Sequence, residues 1–236
     1  MTLNTQRPEP STTTLDIDKA KYWQFVADDV DAYQADYEFV EDWTQDAAEQ
    51  LKIKIDKDVL GAVYADAHAS NAGNTAGLNS GDIKLGATGT PKTLDKTNIL
   101  DHIVDIGTVL DEQDVPESDR FLVLPPWACA LIKKSDLRDA SLAGDGKSRL
   151  LNGRMGEIDG FTIYRSNLLA TTVDGSDTVT NIIGGQKSAL TFASQLIENE
   201  TIRAESTFGT LFRGLQVFGY KVLKSEALVH SYAKKG

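Results

Sequence analysis

The stretch SLAGDGKS, residues 141–148, ends in Gly146, Lys147 and Ser148, the residues that close a phosphate-cradling loop. Such a loop needs G-x-x-x-x-G-K-[ST]: the first glycine permits a tight turn, backbone N–H groups face the phosphates, and the lysine adds charge. Here Ser141 stands at the first glycine position. A helical pattern, CALIKKSDLRDA, precedes the loop where a buried strand belongs, and a turn, LNGRMG, follows where a long helix belongs. A mobile surface loop is therefore expected, not a nucleotide site. The three histidines, His68, His102 and His230, have no H-x-x-x-H or H-E-x-x-H spacing, so neither zinc ligation nor histidine catalysis is written locally. Asp28, Asp29 and Asp31, and then Glu41, Asp42 and Asp46, are candidate hard-cation ligands, but the alternating oxygen ligands and central glycine of a calcium loop are missing. On a helix these carboxylates form a cap and solvated faces. Cys129 is the only cysteine and lies in PPWACALI, which reads as a small buried hydrophobe rather than a reactive thiol. Asn199-Glu200-Thr201 matches a glycosylation sequon, but no secretory leader accompanies it. No nucleophile elbow, paired-carboxylate motif or dinucleotide fingerprint is present. The expectation is no enzyme, and no catalytic, cofactor-binding or metal-ligating residue.

Composition narrows the class further. Of the 236 residues, 41% are hydrophobic and 25% charged, and no apolar run approaches the roughly 20 residues that cross a bilayer. The N-terminus lacks a basic start followed by an apolar stretch, which implies synthesis in a cytoplasm. The net charge of −11 is uneven. Residues 1–68 hold fifteen acidic against six basic side chains and so carry nine of the eleven net negative charges. A protein that neutralises phosphates needs a basic patch, so specific nucleic-acid binding is not expected.

The elements that would position any site follow from periodicity. LDIDKAKYWQFVAD alternates as a strand that is apolar on both faces. From about Asp28 the period becomes helical, with Tyr33, Tyr37, Val40, Thr44, Ala47, Leu51, Ile55, Val59 and Ala62 at spacings of three and four. Asp28 and Asp29 are positioned to cap this helix, and Asp31 sits in its first turn. Some 38 residues span about 57 Å, so the helix needs several layers or neighbouring chains to rest on. HASNAGNTAGLNSGDIKLGATGTPK reads as a linker or surface loop. A second helix over TLDKTNILDHIVDIGTVLDEQDV, a turn at VPESDR, a buried strand FLVLPP and a third helix from WACALIKK come next. GEIDGFTIYRSNL reads as a strand pair or bent strand entered through the Asn152–Gly153 turn, and NIIGGQKSALTFASQ as a strand with a short helix. The C-terminal part supplies two or three strands rich in β-branched and aromatic residues. The class is α+β.

Four segments in this order carry a resemblance: LDIDKAKYWQFVADDVDAYQADYEFVEDWTQDAAEQLKIKIDKDVL, VPESDRFLVLPPWACALI, LNGRMGEIDGFTIYRSNLL and FRGLQVFGYKVLKSEALV. Their succession, from about Leu15 to Val229, resembles tailed-bacteriophage major capsid proteins. The resemblance implies the Hong Kong 97-like fold, with a long spine helix over about 30–67, peripheral and axial domains, and an extended loop reaching over the neighbouring subunit. It implies residues 1–26 as the remainder of that loop, 27–92 as the peripheral domain with spine helix and linker, 93–190 as the axial domain, and 191–236 as strands returning to the peripheral domain with the C-terminal segment. Only 14 residues precede Leu15, so the extended loop is expected to be truncated.

The function so implied is a structural coat protein that self-assembles, as hexamers and pentamers, into the icosahedral shell enclosing packaged DNA. Scaffolding, portal or decoration proteins are the further partners, with no membrane and no cofactor. The place of action is the virion capsid, assembled in the host bacterial cytoplasm. An encapsulin-like compartment shell keeps the fold and changes the cargo; a nucleotide-binding enzyme rests on Gly146-Lys147-Ser148 alone. Some relatives crosslink Lys to Asn. Lys19 and Lys21 lie in the loop region, but the final strands contain no Asn, so a noncovalent lattice is expected.

Overall fold

Alternating burial marks the first strand. In the computed structural model, which describes residues 12–29, 39–135, 156–205 and 207–236, β1 (Lys19–Asp28) half-buries Trp23 and Phe25 on one face and leaves Tyr22, Gln24 and Val26 exposed on the other. Its ten residues pair antiparallel with β9 (Gly209–Val222), from Lys19 opposite Phe218 to Asp28 opposite Gly209. β9 pairs on its far side with β8 (Leu190–Arg203), so the sheet order is β1-β9-β8. The strand starts at Lys19, not Leu15, because Thr14–Ile17 cross β9 instead of pairing beside it. Lys221 Nζ donates to the Thr14 carbonyl at 2.9 Å, and a Cβ on Gly219 would stand 2.1 Å from the Asp16 carbonyl oxygen. Glycine there is a packing requirement.

The long helix α1 (Phe39–Ala62) lies against one face of this sheet, with Leu51 and Ile55 over Phe218 and with Trp23, Val59 and Tyr220 around them. Lys21 reaches Asp58 at 2.6 Å, and the Tyr220 hydroxyl donates to the Asp58 carbonyl at 3.1 Å. The first turn of the expected helix beyond Asp29, Asp31 included, lies outside the described residues. Asp28 closes β1, and Asp29, where helical backbone begins, has its carboxylate held by the Arg203 guanidinium. The α-helix also ends earlier than residue 67. It tightens at Val63–Asp66 into a 3-10 turn that puts Val63, 2% exposed, into the main core.

That core belongs to a second sheet. Its strands are β2 (Lys92–Leu94), β3 (Arg120–Leu124), β4 (Glu157–Ile158), β5 (Phe161–Arg165), β6 (Thr171–Asp174), β7 (Asp177–Gln186) and β10 (Leu228–Lys235). The order is β2-β10-β7-β3-β5-β4, with β6 on β7. Thus β8 and β9 join the three-stranded sheet while β10 returns to the middle of the larger one. Helix α2 (Ile99–Asp111) buries Ile99, Ile103, Ile106 and Leu110 at helical spacing, and α3 (Pro126–Lys134) opens on Pro126, where the missing N–H costs nothing. GEIDGFTIY is an antiparallel pair, β4–β5, turning at Asp159 (φ 50°) and Gly160 (φ 72°).

The Gly- and Asn-rich stretch after α1 is more than a linker. Leu85 and Ala76 are fully buried, Tyr232 N–H donates to the Leu85 carbonyl at 2.9 Å, and a Cβ on Gly86 (φ 91°) would lie 2.0 Å from the Tyr232 oxygen. Its turn residues set its path and its few apolar residues bind it to β10.

Candidate assembly surfaces

The three-stranded sheet is apolar on both sides, as its alternation requires. The face toward α1 carries a run of rings: Trp23 stacks on Phe25 (5.6 Å), Phe25 on Phe212 (5.3 Å), and Trp43 meets Phe25 edge-on (5.7 Å). The opposite face places Tyr22 opposite Leu215, and Val26 opposite Leu211, which in turn faces Ile202. Tyr22 is 65% exposed, and Val26 and Ile202 are each 40% exposed. Beside them is a cleft of about 300 Å³ lined by Tyr22, Gln24, Glu198, Glu200, Arg213 and Leu215, in which Arg213 Nε donates to Glu200 at 2.7 Å. At the hairpin end between β8 and β9, Phe208 is 85% exposed. Its carbonyl accepts from the Asp29 N–H at 3.0 Å, and the Asp29–Arg203 pair sits alongside, with the carboxyl held below its ordinary range chiefly by the hydrogen bond from Arg203. Exposed aromatic and β-branched groups gathered on one unit mark a contact surface.

The residues whose types suggested chemistry make the following contacts. Cys129 is buried in α3, and burial pushes its thiol up, away from the thiolate. His68 Nδ1 accepts from Ser70 N–H at 3.2 Å, capping a short 3-10 turn. His102 and Ser231 are 2.8 Å apart, a nucleophile–base distance. The Ser231 hydroxyl donates to the Leu85 carbonyl at 3.0 Å, so His102 Nε2 donates to Ser231 Oγ and Nδ1 is left buried without a partner. The serine proton therefore points to a backbone oxygen and not to a base. His230 Nε2 faces Asn181 Oδ1 at 2.9 Å; because the Asn181 amide donates to the Ala170 carbonyl, this imidazole also donates from Nε2. Burial lowers both histidines to about 4, with Lys92 adding to the effect at His102.

Asp42, Glu41 and Asp46 all lie exposed on α1, and among the described residues no three of His, Cys, Asp and Glu converge on a metal-sized site. Lys21 is committed to Asp58, and Lys19 Nζ lies 5.2 Å from the Tyr220 ring centroid. Asn199 stands across β9 from Trp23, both opposite Gly214. The stretch from Ser141 to Ser148 and the Asn152–Gly153 turn lie outside the described residues.

Two buried polar hubs escaped sequence reasoning. Asn71 donates to the Glu226 and Leu228 carbonyls (2.6 and 3.0 Å) and accepts from Gln113 Nε2 (3.0 Å), tying the segment after α1 to β10 and to the end of α2. Arg120, 3% exposed, donates to Asp111, Val115 and Pro116 and lies 5.9 Å from the centre of the Phe161 ring. It locks the turn between α2 and β3. A polar residue beginning a hydrophobic run, as Arg120 begins FLVL, was the only trace of this in the sequence.

Comparisons with known proteins agree with this geometry. A family model described as phage capsid protein matches residues 10–231. A solved structure from Mycobacterium phage Che8 is 25% identical with a TM-score of 0.70, covering 92% of this chain and 71% of that one. The capsid of the cyanophage P-SCSP1u is 17% identical with a TM-score of 0.64, covering 100% and 81%. The holo-SrpI encapsulin complex of Synechococcus elongatus PCC 7942 is 11% identical with a TM-score of 0.62, covering 92% and 74%. No curated protein matches. The fold is Hong Kong 97-like.

Proposed function

We propose that this chain, which belongs to the phage capsid protein family, closes its shell through the three-stranded sheet and long helix. It is a major capsid protein, a structural component of the virion that assembles with copies of itself. The observation that carries the finer reading is the run of exposed apolar side chains on one face of this sheet, Tyr22, Val26 and Ile202, with Phe208 exposed at its hairpin end. Closed assemblies bury such surfaces by symmetric repetition.

In this reading the sheet β1-β9-β8 with α1 forms the peripheral domain, and the segment between β2 and β7 forms most of the axial domain at the capsomer centre. Residues before about 26 belong to an extended loop. Hexamers and pentamers build the icosahedral wall around packaged DNA, with assembly in the host cytoplasm and with scaffolding, portal or decoration proteins as further partners. The chain acts by contact, not catalysis, and holds no cofactor or metal. Its acidic balance suits a wall that encloses DNA without gripping it. The lattice is noncovalent: boiling assembled particles in SDS is expected to give one monomer band, and a ladder of crosslinked oligomers overturns this. Negative-stain electron microscopy of the purified chain tests the whole reading, with uniform shells or rings expected and a strictly monomeric particle counting against it. The encapsulin likeness, at 11% identity, speaks to the fold alone.

A further inference from the structure

We infer that the outward face of α1 is a two-fold contact on which a second copy of this chain packs antiparallel, acidic half against lysine half. The inference rests on the shell reading for its biological setting and on the helix itself for its geometry. Opposite the buried Leu51 and Ile55, helical spacing places Asp42, Gln45, Asp46, Glu49, Lys52, Ile53, Asp56 and Lys57 on one face, and all eight are exposed. The charges along it are segregated. From Phe39 to Gln50 the helix carries Glu41, Asp42, Asp46 and Glu49 and no cation; from Leu51 to Ala62 it carries Lys52, Lys54 and Lys57, with Asp56 and a Asp58 already paired to Lys21.

The helix dipole accounts for little of this order, because its influence fades beyond the terminal turns. Asp46 and Glu49 lie past the first described turn, and the last turn has no basic residue at all. Nor do these charges serve the subunit's own packing. On the sheet side, Asp58 of the helix is paired with Lys21 of β1. On the outward side, Asp42, Asp46, Glu49, Lys52, Asp56 and Lys57 have no ion pair with any described residue.

A face that is negative at one end and positive at the other complements itself when a copy is turned end for end, and repels itself when the copy runs parallel. Ile53, 43% exposed at the middle of the face, gives the crossing an apolar contact. An isologous pair satisfies both halves at once.

Charge reversal tests this on the full chain. One variant carries Lys52→Glu and Lys57→Glu, a second carries Asp46→Lys and Glu49→Lys, and a third carries all four changes. Self-association is measured by sedimentation velocity at about 0.01 M and about 1 M ionic strength, where charges act over roughly 30 Å and 3 Å. The wild-type chain is expected to dimerise in low salt and less in high salt. Each half-reversed variant should dimerise on the order of tenfold more weakly, and both the four-fold variant and an equimolar mixture of the two halves should recover. Unchanged melting temperatures confirm that the exposed substitutions leave the fold intact. A wild-type chain without low-salt dimers, half-reversed variants that dimerise as well as wild type, or a mixture that fails to recover overturns the inference. Electron microscopy separates the two readings. Normal shells from half-reversed variants keep the shell and remove this contact, whereas rescued dimers from a chain that never forms shells keep the contact and remove the shell.

Discussion

The seven-stranded sheet and the three-stranded sheet are built from similar residues yet are stabilised differently. Among the described residues, 27 buried hydrophobic residues form one cluster around the larger sheet, whereas the cluster between the smaller sheet and α1 has three, Leu51, Ile55 and Phe218. The larger unit has helices, β10 and the 67–92 segment packed about it, so its apolar groups find partners within the chain. Among the described residues, the smaller has one helix for two apolar faces. Val59 and Tyr220 touch both clusters and join the units, so the smaller one is steadied from its base. One region has most of the buried core; the other has little core and a face of exposed apolar side chains.

The largest expected effect comes from emptying the larger core. Phe161→Ala removes a fully buried ring and should cost about 3–5 kcal/mol, read as a drop in melting temperature of roughly 10 °C or more. A loss below about 1 kcal/mol would show that this core collapses as readily as a surface, and the contrast between the regions would go. Next, Arg120→Met strands the Val115 and Pro116 carbonyls and should cost about 1–3 kcal/mol by urea unfolding, with assembly unaffected at equal folded concentration.

The pH response is smaller and comes from two histidines packed at β10 of the larger sheet. His102 and His230 have folded values near 4, below the unfolded value of 6.5, so below pH 6.5 the unfolded chain takes up protons that the folded chain refuses. Stability is flat above pH 6.5 and falls toward pH 4. Each histidine contributes a slope of up to about 1.4 kcal/mol per pH unit in that window. Urea midpoints at pH 7.5 and 5 should show the loss, and His102→Gln should roughly halve it, leaving the His230 part; a pH-independent midpoint counts against neutral burial. The smallest effect on folding belongs to the exposed sheet face. Tyr22→Ser and Phe208→Ser should each shift monomer stability by no more than about 0.5 kcal/mol, while the yield of particles seen by electron microscopy falls. Normal yield from both would remove this face from the assembly surfaces.

Much of the architecture was legible because it is periodic. The alternation of KAKYWQFVAD and the three-four spacing of Leu51, Ile55 and Val59 announce a two-faced strand and a long helix, and GEIDGFTIYRSNL announces a strand pair or a bent strand, of which the pair is found. The resemblance from Leu15 to Val229 carried the fold family. Less legible was the segment after α1, where Leu85 and Ala76 are isolated in a turn-rich stretch and Leu85 is bonded to Tyr232 of β10, more than 140 residues away. The candidate assembly surface was only half visible: apolar alternation shows that both faces of a strand want cover, but not which face α1 takes.

By itself, the sequence determined what each short stretch could be: strand, helix or turn, acidic or neutral, apolar on one face or two. These are local properties, set by side-chain volume, charge and backbone freedom over a few residues. Only the tertiary structure decided that β10 runs between β2 and β7, that Asn71 bonds Glu226 and Leu228, and that Tyr22 is the side left open. The reason is physical: strand order and burial are fixed by which distant surfaces jointly exclude water and satisfy backbone hydrogen bonds, and no local pattern encodes that choice.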